Sequence, residues 1–221
     1  MIISHKYKFI FIKTHKTASS SVCVDLGSKC APTDIVLPVN EFLEEDEVIK
    51  KHIPRNYTKY KKHMRIKAIK RVLNNFKIFD SYFKFCVERE PIDKLLSHFY
   101  WHHRFKLDSF FYKEVDFLWE KFIFSLPQIN NINLNHWTID GELAVDKILR
   151  YENLKEELTQ TCKQLGMEVE LTTKAKVSLR KNKALPKPNI TNKQIEQVYE
   201  NWKISNSFTG YKIEDCKYYE N

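Results

Sequence analysis

The stretch KFIFIKTHKTASSSVCVDL, residues 8–26, decides how the chain is read. Phe9 to Thr14 carries no turn-forming residue and reads as buried strand, within a first strand from Lys8 to Thr14, while Ser19 to Lys29 reads as a first helix. The element changes at Lys16. In open parallel sheets ligands lie at the carboxyl ends of strands, and a helix amino terminus offers N–H groups and the positive end of a dipole. An anion is therefore expected at this joint. A nucleotide P-loop would read GxxxxGK[ST], and KTHKTASSS contains no glycine. Lys16, Thr17, Ala18, Ser19, Ser20 and Ser21 can cradle an anion without wrapping it as tightly. Taken alone, the same residues also fit a basic strand end followed by a serine-capped helix.

A second segment has the same form. FKFCVER, residues 83–89, reads as another buried strand, and Pro91 sits where the first turn of the following amphipathic helix belongs. Arg89 leaves that strand, and Ser97 lies two turns into the helix. If both strands share a sheet, Arg89 emerges on the same carboxyl edge as Lys16, where a guanidinium and a hydroxyl suit a second phosphate. The plainer alternative pairs Arg89 with Glu88 or Glu90 and turns Ser97 to solvent.

Outward from these joints, Pro32 and Pro38 bracket a loop, and Asn40 caps an acidic helix, NEFLEEDEVIKKH, that ends at Pro54. A basic helix is expected from His63 to Asn75, a helix from Asp108 to Leu126, and a strand at 145–149 before a helix that ends at Gly166. Residues 172–189 are lysine-rich, aperiodic and read as a loop closing over something anionic. Thr191 and Gln194 form a capping box for the last helix. No internal repeat is present. The alternation predicts a single α/β domain over residues 1–221, three-layer α/β/α with a central, mostly parallel sheet.

Composition narrows the partners. Lys and Arg number 37 against 28 Asp and Glu, a net charge of +9, so nucleic acid, an anionic membrane surface, nucleotides and acidic glycans all fit. Cysteines at 23, 30, 86, 162 and 216 include no CxxC pair, which argues against a disulfide scaffold and a zinc site and for thiols in a cytoplasmic protein. Charges interrupt the apolar run of MIISHKYKFIFIK, so neither a signal peptide nor a membrane span is expected. His98 and His102 have the spacing of a metal pair but no third ligand motif. No nucleic-acid recognition motif is present, and the aromatics are not interleaved with the basic stretches.

HKTASSS after an apolar strand, and VEREPIDKLLSHFYW later, resemble the 5'-phosphosulfate loop and 3'-phosphate motif of sulfotransferases that use 3'-phosphoadenosine 5'-phosphosulfate (PAPS). Residues 61–101, with a histidine before a helix, an aromatic-rich strand, and Arg and Ser eight apart, are similar to the bacterial and carbohydrate 2-O branch. RYENL, residues 150–154, resembles a later element of that family. The likeness covers residues 8–26 and 62–104. The family often has Asn where this chain has Glu90, and Gly where it has Ala18.

The resemblance implies a P-loop-like sulfotransferase fold, PAPS as donor with adenosine 3',5'-bisphosphate as product, and a hydroxyl-bearing acceptor on a carbohydrate. It implies Lys16 at the leaving phosphate oxygen and His63 as general base, with His15 the weaker base candidate. Cofactor contacts are implied for Lys16 and residues 17–21, for Arg89 and Ser97, and for Arg180 and Lys181 in the basic loop. No metal is required by this chemistry. The rival readings are a nucleotide kinase with a degenerate P-loop, dependent on Mg²⁺, and a basic nucleic-acid-binding module.

Overall fold

Phe9 and Phe11 pack tilted against Phe85, at ring-centroid distances of 5.7 Å and 5.1 Å, and mark where two neighbouring strands meet. The computed structural model describes residues 1–39, 52–104, 109–125, 131–173 and 185–219. In chain order its elements are β1 (Ile2–Ser4), β2 (Phe9–Phe11), α1 (Ser19–Lys29), β3 (Ile35–Val36), α2 (Ile66–Leu73), α3 (Phe76–Ser81), β4 (Phe83–Glu88), α4 (Pro91–His103), α5 (Ser109–Lys113), α6 (Val115–Ile123), α7 (Leu134–Trp137), β5 (Thr138–Ile139), β6 (Glu142–Leu143), β7 (Lys147–Arg150), α8 (Leu154–Gln164), α9 (Asn192–Asn201) and α10 (Lys203–Thr209). Mixed strand and helix make this an α/β protein. Among the described residues no helix is long and apolar enough to cross a membrane.

The chain divides into two compact units, Met1–Glu88 with Asn133–Ala175, and Arg89–Ile132 with Lys176–Asn221. The first holds a five-stranded sheet in the order β3-β1-β2-β4-β7. β2, β4 and β7 run parallel, but β1 pairs antiparallel with both β2 and β3. The sheet is therefore mixed, which corrects the expectation of a mostly parallel one. The reason is a hairpin with no glycine, asparagine or proline in its turn. Lys8 takes a left-handed φ of 53°, and the turn's donors are satisfied from a distance: Asp34 accepts from Ser4 Oγ at 2.8 Å and from the amides of His5 at 2.7 Å and Lys6 at 3.2 Å.

The sheet is buried on both faces, as a sheet with parallel strands requires. One face, with Ile2, Phe9, Phe11, Phe85, Val87 and Leu149, packs against Val22, Cys23 and Leu26 of α1 and Leu154, Leu158 and Cys162 of α8. Ile3, Ile10, Ile12 and Cys86 alternate with these and are equally shut off from solvent. Asp25 of α1 accepts the amides of Thr172 and Thr173 at 3.1 Å each, which pins the chain after α8 to α1.

The second unit is helical. Phe99 and Tyr100 of α4 join Phe111, Trp119, Phe122, Ile195, Val198 and Trp202 in one core. The expected capping box is present: Thr191 Oγ1 accepts from the Gln194 amide at 3.3 Å, and the Gln194 side chain accepts from the Thr191 amide at 3.2 Å. α10 follows α9 and closes at Gly210, whose φ of 71° suits glycine. The helix expected over Asp108–Leu126 is two, α5 and α6, separated at Glu114. The helix expected after Asn40, through residue 51, lies outside the described residues.

Candidate functional site

β2 hands the chain to a loop held against β4. The Ile12 amide continues the ladder to Phe85 O at 2.9 Å. Thr14 Oγ1 donates to Val87 O at 2.6 Å and lies 2.8 Å from Thr17 Oγ1. Ser19 Oγ donates back to Thr14 O at 2.6 Å, so this hydroxyl closes the loop and does not cap the helix. α1 instead begins at Ala18, with no side-chain cap and no acidic residue in its first turn. Thr17, Ser19, Ser20 and Ser21 are buried around that helix start, and Lys16 stands half-buried at its shoulder. The positive end of the α1 dipole is thus offset by neither a cap nor a carboxylate of its own first turn.

The loop turns without glycine by placing two ordinary residues in the left-handed region, Lys16 at φ 62° and Ala18 at φ 58°. That conformation costs an L-residue roughly 1–2 kcal/mol. Ala18→Gly should therefore raise stability, by about 0.5–1 kcal/mol after glycine's greater unfolded-state freedom is counted. Urea denaturation measures it, and a variant less stable than the parent contradicts the strain.

Three imidazoles gather beside this loop. His15 stacks on His63 with ring centroids 3.8 Å apart and planes 15° apart, and meets His136 edge-on at 5.2 Å. His63 was expected on a basic helix. It lies instead ahead of α2, at a φ of 52°, because the helix starts only after Arg65. Its Nδ1 is 3.1 Å from Lys13 O. A carbonyl can only accept, so Nδ1 carries the proton and Nε2 presents its lone pair. Burial first, then the His15 ring, the Lys13 ammonium, the α-amine of Met1 and His136, pushes the His63 imidazolium down to about 2. At neutral pH His63 is a neutral acceptor.

Lys13 is the unexpected cation. It is only 2% exposed, its Nζ donates to Val39 O at 3.0 Å, and burial holds the ammonium below the usual lysine range. The short helix α7 and the residue before it complete the group. Asn133 grips the His15 backbone at both ends, accepting from its N–H at 2.8 Å and donating to its C=O at 3.1 Å. His136 Nε2 lies 2.9 Å from His63 O and must donate to it. Trp137 Nε1 donates to Glu88 Oε1, at the last residue of β4, at 3.0 Å.

In the second unit Arg89 is nearly buried. Its Nε donates to Asp93 Oδ2 at 2.5 Å, its Nη2 pairs with the same oxygen, and Lys217 Nζ approaches Asp93 Oδ1 at 3.4 Å. Asp93, one helical turn on, is thus an acidic partner of Arg89. Glu90 caps α4, accepting from the amides of Ile92 at 2.9 Å and Asp93 at 2.7 Å, and it accepts the Tyr199 hydroxyl at 2.9 Å. Burial raises the Glu90 pKa. Ser97 is half-buried two turns into α4. His98 and His102 both pack on Phe122, at 5.4 Å and 5.8 Å, and no metal-holding group of side chains is present among the described residues.

Of the residues singled out in the sequence, Lys16 to Ser21 and His63 are therefore neighbours in the first unit, and Arg89 and Ser97 open α4 in the second. Arg180 and Lys181 lie outside the described residues. Lys13, Asn133 and His136 were not foreseen. Asn133 binds a residue 118 positions away and His136 one 73 positions away, so no local pattern marks them.

The fold and this site define an α/β protein with a cationic, imidazole-rich joint at the carboxyl edge of parallel strands. The chain is 32% identical over 97 residues, 43% of its length and 77% of the other, to a protein of Archaeoglobus fulgidus described as uncharacterized, and belongs to the same family. No family model and no solved structure matches it.

Proposed function

We propose that the protein is a sulfotransferase that moves a sulfuryl group from PAPS to a hydroxyl of a carbohydrate acceptor, on a sulfotransferase-like three-layer fold. The observation that carries this reading is the joint between β2 and α1, where a lysine, left-handed turns and buried hydroxyls open a helix start with no cap and no acid. Such a helix start favours a phosphate or sulfate. The resemblance of residues 8–26 and 62–104 supplies the donor class.

In this reading the donor's 5'-phosphosulfate takes the N–H groups of residues 17–21. Lys16 stabilises the negative charge that builds on the leaving phosphate oxygen as the S–O bond breaks. His63 Nε2 accepts the proton of the acceptor hydroxyl, whose oxygen forms the new bond to sulfur. An anionic donor beside Lys13 and Lys16 offsets their charge and raises the proton affinity of His63, which burial and those cations otherwise depress. The resemblance gives the 3'-phosphate to Arg89 and Ser97; within the second unit, Asp93 holds the Arg89 guanidinium in one orientation.

A thermal-shift experiment with three ligands tests the reading. Adenosine 3',5'-bisphosphate at 100 times its dissociation constant should stabilise the protein by about 2.7 kcal/mol. ATP with Mg²⁺ and an oligonucleotide should give little. A shift with ATP and Mg²⁺ alone supports the kinase, and one with the oligonucleotide alone, lost in salt, supports a nucleic-acid module.

A further inference from the structure

We infer that Asn133 and His136 are positioning residues that hold the His15 and His63 imidazoles as a stacked pair and present His63 Nε2 as the proton acceptor. The inference rests on the proposed function for the use of that proton, but its geometry stands on contacts within the first unit. His15 and His63 come from separate loops, one before α1 and one before α2. Neither loop holds its histidine by a regular element: His63 sits at a positive φ, and His15 lies between Thr14 and the left-handed Lys16.

The α7 segment supplies what the loops lack. Asn133 fixes His15 by two hydrogen bonds to one peptide unit on each side, and His136 fixes the His63 carbonyl. Trp137 anchors the same short helix to the end of β4 through Glu88. One rigid support therefore sets both rings. The Lys13 carbonyl then fixes the tautomer of His63 through Nδ1. The backbone of Lys13 continues β2, so the ring is referenced to the sheet as well as to α7. A general base must be held within hydrogen-bond reach of its proton, and a misplacement of the order of 1 Å can cost about 10²-fold in rate.

Imidazole ¹H–¹⁵N correlation spectra of the full chain test this without any substrate, with His63 assigned through His63→Gln. The parent should show His63 as the neutral tautomer protonated at Nδ1, without titration between about pH 5 and 8. His136→Leu removes the donor to His63 O, and should mix the tautomers or bring His63 into titration in that range. His136→Gln keeps an N–H donor and should restore the parent signature. Asn133→Asp is isosteric, still accepts the His15 amide, cannot donate to the His15 carbonyl, and should disturb the pair if His136→Leu does not fold. With PAPS and an acceptor, His136→Leu should lower kcat by about 10²-fold while leaving the donor KM unchanged, and His136→Gln should recover most of it.

A folded His136→Leu or Asn133→Asp protein with an unchanged His63 signature overturns the inference. Spectra that respond as expected, in a protein that binds no adenosine 3',5'-bisphosphate, keep the positioning role and remove the sulfotransferase reading.

Discussion

In the proposed sulfotransferase reaction, Lys16→Ala should reduce sulfuryl transfer by at least about 10²–10³-fold, the usual cost of deleting one preorganised group that meets charge developing in a transition state. The expectation follows from where Lys16 sits. It is half-buried at the start of α1, outside the hydrophobic core, so the fold should survive the change. The remaining attraction for an anion comes from N–H groups that alanine does not touch. Bisphosphate binding should weaken only modestly in Lys16→Ala and severely in Arg89→Ala, which separates chemistry from binding. Labelled PAPS and a panel of glycans measure transfer. Parent-level turnover in Lys16→Ala removes it from the mechanism.

Acidification should destabilise the protein well before its carboxylates protonate. His63 titrates near 2 in the folded chain and near the ordinary histidine value of about 6.5 when unfolded. Between these values the unfolded state holds a proton that the folded state does not, so stability rises with pH across the window and levels off above about 6.5. Two pH units at about 1.36 kcal/mol each, reduced for residual solvent contact, give a loss of about 2 kcal/mol between pH 6.5 and 4.5. His52, also depressed by burial, adds in the same direction. Denaturant melts at a series of pH values should show the slope, and His63→Gln should flatten it. An equal slope in the variant contradicts the burial of an uncharged imidazole.

What could be read from the sequence follows from how local each cause is. β4 and α4 were legible because an apolar run ends at Glu88 and Pro91 can only open a helix, and the α9 capping box because its two partners are three residues apart. The β2–α1 joint was legible as a strand end passing into a helix, but not its left-handed backbone at Lys16 and Ala18. The β1–β2 hairpin was missed because Asp34, about 30 residues on, completes its turn. The short strand β3, between Pro32 and Pro38, falls where only a loop was expected.

Other features had signals that went unused. TIDGEL carries the Asp-Gly of a two-residue hairpin, and β5 and β6 form it with Asp140 at φ 52° and Gly141 at φ 89°. Arg89 and Asp93 are four apart on what was already read as a strand end and helix start, the spacing of an ion pair. The histidine group is different in kind. His15 and His63 were noticed for separate reasons, but their stacking and dependence on Asn133 and His136 are tertiary facts with no periodic trace.

Backbone amide spectra during titration with adenosine 3',5'-bisphosphate test the central claim most directly. The account predicts that the largest shifts fall on residues 16–21, saturate with the ligand, and shrink in Lys16→Ala. Amides of this segment that stay fixed at saturating bisphosphate, or that move only with ATP and Mg²⁺, would contradict it.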